Sequence, residues 1–142
     1  MSLRNKKTFD YSFRVRYSEV DAQRIVYNSH YLTFFDVSIF EFFDIIGFNQ
    51  EDYIKKTNNE FHTVRAVVEY KSPATLADRI EVLTRIKNIG NSSITFAQEI
   101  YLLGSDKLIA KGEIVWVNTN QNEMKPVSVP DDLRDLLKDY QD

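Results

Sequence analysis

The chain has 142 residues, enough for one domain with its own core, and 43% of them are apolar, so a disordered chain is excluded. It has no cysteine, two histidines and four dispersed glycines, which excludes disulfides, thiol nucleophiles, cysteine-ligated zinc, a His-x-x-x-His metal pair and glycine-rich phosphate loops. The net charge of −3 gives no general attraction to nucleic acid or to an anionic membrane, although the first sixteen residues are locally basic and are expected to form a short solvated arm. Catalysis by this chain must therefore rest mainly on carboxylates, hydroxyls and backbone dipoles.

The N-terminal part of the chain predicts a strand, a loop and a long helix. The strand covers residues 9–17, and the loop after it mixes charged and apolar residues. The helical pattern covers residues 28–46, with Asn28 or Ser29 as its N-terminal cap and Gly47 just beyond its end.

The predicted helix is apolar over most of its circumference. Only Thr33, Asp36, Ser38, Glu41 and Asp44 are polar between residues 31 and 46, and at 100° per residue all of these except Ser38 fall within an arc of roughly 140°. The wider face carries Tyr31, Phe34, Phe35, Ile39, Phe42, Phe43, Ile45 and Ile46. A surface helix shows a narrower apolar stripe, so we expect this helix to be largely enclosed by a sheet.

Four strand-like runs follow a polar stretch at residues 50–60, which contains a short amphipathic turn. The runs cover residues 62–72, 79–89, 93–103 and 107–118. Turn signals at residues 90–91 and 104–106, and a close connection at residues 73–78, predict hairpins between consecutive strands. With a terminal helix at residues 130–140, the order predicts an α+β fold. One curved antiparallel meander of about five strands would wrap around the long helix.

The loop before the helix carries the most specific motif. Residues 17–31 place an aspartate, two apolar residues and a helix start with Asn and Tyr at fixed spacing, as Asp21, Ile25-Val26, Asn28 and Tyr31. This resembles the signature of the hotdog-fold acyl-CoA thioesterases, in the 4-hydroxybenzoyl-CoA thioesterase and YbgC-like branch. The stretches 69–78, 110–113 and 125–130 resemble later motifs of that family, so the resemblance covers about residues 9–137. It implies one hotdog thioesterase-like domain over residues 1–142.

Thioester hydrolysis needs an activated nucleophile and stabilisation of the oxyanion that develops on the carbonyl. A carboxylate can act as nucleophile or as general base for water, and the N–H groups at a helix N-terminus can stabilise the oxyanion. Asp21 lies seven residues before Asn28, so a tight loop can present both to one carbonyl. We expect Asp21 to be the nucleophile or general base and the backbone N–H groups near Asn28 to be the oxyanion donors.

The resemblance also implies a substrate site and partners. The expected substrate-binding residues are Ile25, Val26, Tyr27, Tyr31 and Lys71. Lys71 is one of five candidates for the phosphates of coenzyme A, with Arg65, Arg85, Lys87 and Lys111. No metal and no cofactor are expected, because coenzyme A arrives as part of the acyl-CoA substrate. An acyl-carrier protein is a further candidate partner, and the site is expected between the subunits of a homodimer or homotetramer. With no membrane span and no signal peptide in the sequence, a cytoplasmic location is expected.

Several alternatives stay open. Glu19 is expected to have a structural role in the loop, and His30 to be solvated or hydrogen-bonded rather than a base. Glu41 is the reserve carboxylate, since other thioesterase branches place theirs in the long helix. Arg24 stands where many family members carry glycine, and it either turns outward on the same backbone path or narrows the pocket. A third alternative is that it faces a negative charge on the substrate. The alternative functions are a non-hydrolytic acyl-CoA or acyl-carrier-protein binder and, less favoured, a hydratase or dehydratase on the same fold.

Overall fold

A computed structural model describes residues 2–142. Its strands are β1 (Phe9–Arg14), β2 (Asn59–Tyr70), β3 (Arg79–Ile89), β4 (Ser93–Leu102), β5 (Leu108–Asn120) and the short β6 (Lys125–Pro126). Its helices are α1 (His30–Ile46), α2 (Gln50–Thr57) and α3 (Asp131–Leu137), with 3-10 turns at Leu3–Asn5, Tyr17–Glu19 and Lys138–Tyr140. The predicted elements are confirmed with shifted bounds: α1 begins two residues later than predicted, β2 covers Asn59–Tyr70, and the short turn expected within residues 50–60 is the helix α2. The first strand is shorter than predicted. It stops at Arg14, and the chain then turns where the Glu19 carboxylate accepts the backbone N–H of Arg16 at 2.8 Å.

The five long strands form one antiparallel sheet in the order β1-β3-β4-β5-β2. β3, β4 and β5 form the predicted meander. The predicted hairpin between β2 and β3 is wrong, because β2 pairs with β5 and residues 73–78 cross over to the far side of the sheet. The backbone N–H groups of Lys71 and Ser72 both donate to the C=O of Ile109, at 2.9 and 3.1 Å. These bonds keep the chain on β5 until Pro73, which has no N–H to continue the ladder.

Helix α1 packs one face against the curled sheet. Its buried side chains recur every three or four residues, as Tyr31, Phe34, Phe35, Ser38, Ile39, Phe42 and Phe43. Gly112 of β5 permits this close approach, because a Cβ there would lie 2.4 Å from the Phe35 ring. The sheet encloses α1 on one face only, which is less than expected: Phe40 is 62% and Ile45 is 67% exposed. The sheet covers one side of α1, and on the other side these two residues stand among the polar ones.

The basic N-terminal arm is docked rather than solvated, which corrects the sequence-based expectation. It lies on the sheet face opposite α1, where the backbone N–H of Leu3 donates to the buried Glu99 carboxylate at 2.7 Å. The Arg4 guanidinium lies 3.8 Å from the centroid of the Tyr101 ring and forms a 3.0 Å salt bridge with Glu81. Among the helices of residues 2–142, none is long and apolar enough to cross a membrane.

Candidate active site

The segment that carries Asp21 is a closed loop held by its own backbone. Val20 and Val26 pair as an antiparallel bridge at its neck. Inside the loop, the N–H of Asp21 donates to the C=O of Ile25 at 3.0 Å, and the N–H of Arg24 donates to the C=O of Asp21 at 2.9 Å. The Asp21 Oδ1 atom accepts the N–H of Gln23 at 2.8 Å. Its Oδ2 atom has no hydrogen-bond partner within residues 2–142, which leaves that oxygen available for chemistry.

Arg24 occupies the tight turn of this loop, with a backbone conformation that is unusual for an arginine. Its φ angle is +67°, in the left-handed region that favours glycine, and its side chain is exposed. Between an outward side chain and a narrowed pocket, the structure shows the outward side chain. Arg24 follows the path that glycine would take, and its side chain points to solvent.

The loop is anchored on the crossover between β2 and β3. Ile25 pairs with Thr75 as an isolated bridge, and the N–H of Val26 donates to the C=O of Ala74 at 2.9 Å. Val26 is buried. The two stretches that carried the family resemblance therefore lie together, although about fifty residues separate them in sequence.

Both backbone groups of Tyr27 are hydrogen-bonded. The Tyr27 N–H donates to the C=O of Glu19, and the Tyr27 C=O, which belongs to the peptide with Asn28, accepts the N–H of His30, both at 2.9 Å. The N–H of Asn28 points from this fixed peptide, and within residues 2–142 it has no hydrogen-bond acceptor. Helix α1 begins two residues later with Ser29 as its N-cap, whose side chain makes no capping bond. The helix start thus offers an unoccupied backbone donor on the segment that follows Asp21.

Two tyrosines support this helix start. The Tyr70 hydroxyl donates to the C=O of Asn28 at 3.1 Å, and the Tyr31 hydroxyl accepts the N–H of Ala74 at 3.4 Å. Their rings meet edge to face, with centroids 5.6 Å apart. Burial raises the pKa of Tyr31 above its usual value, so its phenol is neutral at physiological pH. Sequence reasoning did not assign Tyr70 to the site, although it lies on the same face of β2 as Val68, which packs against the core.

The structure brings Asp21, Ile25, Val26, Tyr27, Asn28 and Tyr31 together in one unit. Lys71 directly follows Tyr70, but within residues 2–142 no hydrogen bond or ion pair joins its side chain to this unit, and its Nζ lies 3.5 Å from the Glu69 carboxylate. The His30 ring contacts the Tyr27 ring, with centroids 5.9 Å apart. Glu41 lies in the middle of α1, and within residues 2–142 no hydrogen bond or ion pair joins it to the loop.

The arrangement can bind and activate a carbonyl group. A carboxylate oxygen without a partner and an unoccupied backbone N–H at a helix start are the two groups that attack on a carbonyl requires. Within residues 2–142, no three His, Asp or Glu side chains are grouped so that they could hold a metal ion.

Comparisons with known proteins identify the family and the fold. Residues 15–137 match the family model of the Thioesterase-like superfamily. The acyl-CoA thioester hydrolase YbgC of Escherichia coli O6:H1 is 29% identical over 89% of this chain and 92% of its own length. The acyl-CoA thioesterase YbgC of Haemophilus influenzae is 25% identical over 89% of this chain and 91% of its own length. The crystal structure of a 1,4-dihydroxy-2-naphthoyl-CoA thioesterase from Synechocystis superposes with a TM-score of 0.88, at 20% identity, over 94% of this chain and 97% of its own. The predicted α+β hotdog fold is thereby confirmed.

Proposed function

The chain belongs to the thioesterase-like superfamily and is a thioester hydrolase, and we propose that it splits acyl-CoA with the Asp21 carboxylate and the Asn28 backbone N–H. The products are a carboxylic acid and CoA. Two relatives that share about nine-tenths of their length with this chain are named for this reaction.

In the proposed site, the thioester carbonyl oxygen accepts the N–H of Asn28 while its carbon faces the Asp21 carboxylate. The hydrogen bond from the Asn28 N–H strengthens as negative charge develops on the carbonyl oxygen. Because the N–H is already oriented, this stabilisation requires no reorganisation. The Tyr27 carbonyl of the same peptide accepts the N–H of His30, which further polarises the Asn28 N–H.

Asp21 can act by either of two balanced routes. As nucleophile, its oxygen bonds to the acyl carbon and the C–S bond breaks, which gives an acyl–aspartyl anhydride and the CoA thiolate. Water then cleaves the anhydride to the acid. As general base, Asp21 takes a proton from water as the water oxygen attacks, and the proton passes to the departing sulfur.

The observation that carries the proposal is that one hydrogen-bonded loop holds both groups. The bond from Tyr27 to Glu19 and the bridge between Val20 and Val26 close that loop. The carboxylate and the donor therefore keep a fixed relation to each other, which is the pre-organisation that catalysis needs.

We also propose that the active form is a homodimer or a homotetramer. Strand β2 is an edge strand that pairs with β5 on one side and leaves its other side unpaired within residues 2–142. Val64 is 60% exposed on it, and the middle of the strand is open to solvent. Long exposed edges of this kind favour pairing with another strand. A stable monomer by light scattering would contradict this part of the proposal.

The function is tested by release of free thiol from a panel of short, long and aromatic acyl-CoAs, with the same acyl groups on an acyl-carrier protein as a second arm. Turnover of at least one acyl-CoA is expected. Tight binding of acyl-CoA without thiol release from any member of the panel would overturn the proposal and favour a non-hydrolytic binder.

A further inference from the structure

Arg14 and Arg79 form a pair of like charges without a counter-ion. They stand directly opposite each other in the β1–β3 ladder, and both are exposed. Side chains in this register leave the same face of the sheet with their Cβ atoms about 5 Å apart, where like charges repel. Neither guanidinium forms a salt bridge within residues 2–142, whereas Arg4, Arg16, Arg65 and Arg85 each pair with a carboxylate.

The pair lies close to the loop that carries Asp21. The N–H of Val15 donates to the C=O of Asp78 at 2.8 Å, which ties the end of β1 to the crossover. Thr75, three residues before Asp78, pairs with Ile25 of the loop. A surface cavity of about 360 Å³ opens here, lined by Arg14, Val15, Arg16, Tyr17, Leu76 and Ala77.

The other candidate cations for phosphate binding each already contact a carboxylate. Lys71 and Lys111 share the Glu69 carboxylate, Arg65 and Lys87 share Glu113, and Arg85 pairs with Asp142. A phosphate would compete with a carboxylate at each of these positions. At Arg14 and Arg79 it would instead relieve the repulsion between two guanidinium groups, which are well suited to phosphate.

We propose that Arg14 and Arg79 bind the phosphate end of the pantetheine-bearing substrate, an inference that rests on the proposed thioesterase function. The shared chemistry is a phosphate ester at the end of the pantetheine arm. CoA supplies it as a pyrophosphate and a 3′-phosphate, and an acyl-carrier protein supplies it as a phosphodiester. The exposed side chains of Tyr17 and Leu76 give the cavity an apolar wall for the organic part of the ligand.

The test compares two double variants that each remove two positive charges. Arg14→Gln/Arg79→Gln removes the pair, and Lys55→Gln/Lys56→Gln removes two exposed lysines of α2 that form no salt bridge within residues 2–142. For Arg14→Gln/Arg79→Gln we expect the KM for acyl-CoA to rise about tenfold or more with kcat unchanged. The KM for the same acyl group on pantetheine, which has no phosphate, should stay at the wild-type value.

Three outcomes would overturn the assignment. The KM of the arginine variant could stay unchanged for every substrate, its KM for acyl-pantetheine could rise as much as its KM for acyl-CoA, or the lysine variant could show the same rise in KM for acyl-CoA. A rise in the KM of the arginine variant for the acyl-carrier-protein substrate alone would support the site and would identify the carrier as the source of the phosphate. Removing a repelling pair should not unfold the protein, and the melting temperature checks this.

Calorimetry with free CoA and pantetheine separates this inference from the proposed function. If the wild type hydrolyses no acyl-CoA but binds CoA more tightly than pantetheine, and the arginine variant loses that preference, the hydrolysis proposal fails while the phosphate site stands. If both proteins bind CoA and pantetheine alike, the phosphate site fails whatever the activity.

Discussion

The backbone N–H of Tyr27 donates to the C=O of Glu19 at 2.9 Å, and this bond joins the two ends of the loop that carries Asp21. Glu19 is buried, with 8% of its side chain exposed, and its carboxylate accepts hydrogen bonds from the backbone N–H and the guanidinium of Arg16. Glu19 therefore supports both halves of the proposed site: the turn before Asp21 through its side chain, and Tyr27, the residue before Asn28, through its backbone.

Glu19→Gln should lower kcat for thioester hydrolysis by about ten- to a hundredfold while KM changes little, because small displacements of reacting groups slow catalysis strongly. Glu99→Gln is the matched control, since Glu99 is also buried and accepts a backbone N–H, that of Leu3, on the opposite face of the sheet. The two variants should lose comparable stability in denaturant titrations. Equal kcat in both variants would reduce Glu19 to a structural residue.

Arg24→Gly should stabilise the fold by up to about 1 kcal/mol, because glycine adopts the left-handed backbone at this position without the strain that a Cβ causes. This gain should exceed the cost of the greater conformational entropy that glycine gives the unfolded chain. Arg24→Ala removes the guanidinium but keeps a Cβ, so it should bring no such gain. Urea unfolding of the three proteins measures the difference. Equal stabilisation by Ala and Gly would show that the guanidinium, and not the φ angle, carries the cost.

Gly112→Ala should destabilise the protein by about 1–3 kcal/mol, because its Cβ would lie 2.4 Å from the Phe35 ring and 2.9 Å from the backbone oxygen of Val67. Gly90→Ala is the control. A Cβ there meets only the Ser93 hydroxyl at 2.7 Å, which can rotate away, so a change of no more than about 0.5 kcal/mol is expected. Similar midpoints of chemical unfolding for the two variants would contradict the packing described for α1.

Glu113 should contribute stability that disappears in acid. Its hydrogen bond from Lys87 and the nearby charge of Arg65 hold the pKa of Glu113 below its usual value of 4.5. The folded pKa is the lower one, so the contribution is complete above the unfolded pKa and is lost as pH falls through the folded pKa. Glu113→Gln should therefore cost no more than about 1 kcal/mol at pH 7, and the deficit should shrink as the pH falls and vanish below the folded pKa, which is lower than 4.5.

The control for this pH dependence is Glu123→Gln. Glu123 is exposed in the turn after β5 and forms no salt bridge within residues 2–142. The unfolding free energy of the Glu123→Gln variant should equal that of the wild type at every pH. A Glu113→Gln deficit that persisted unchanged into acid would show that packing rather than charge is lost.

Local sequence pattern predicted the elements well where turn residues bound them. Strand β3 is correct to the residue at both ends, because Asp78 precedes its alternating pattern and Gly90 follows it. The partner of β2 was not predictable in this way. Alternation along Val64, Ala66 and Val68 assigns sides of a strand but does not specify which strand lies beside it.

Contacts between distant residues account for the parts of the site and surface that sequence reasoning missed. Tyr70 reaches the carbonyl of Asn28 across 42 positions, and Leu3 reaches Glu99 across 96. No periodic pattern encodes such pairings, so a basic arm was expected to be solvated. Asp21 and Asn28 lie on one short loop segment, a local feature that their spacing and the family motif predicted.

The most direct test of the account is the hydrolysis rate of Asp21→Asn with the best acyl-CoA of the panel. Asparagine keeps the oxygen that accepts the N–H of Gln23, so the loop should stay folded and Kd for a non-hydrolysable CoA thioether should stay near the wild-type value. We predict that kcat falls by about a hundredfold or more. A variant that binds the thioether normally and hydrolyses acyl-CoA at the wild-type rate would contradict the account.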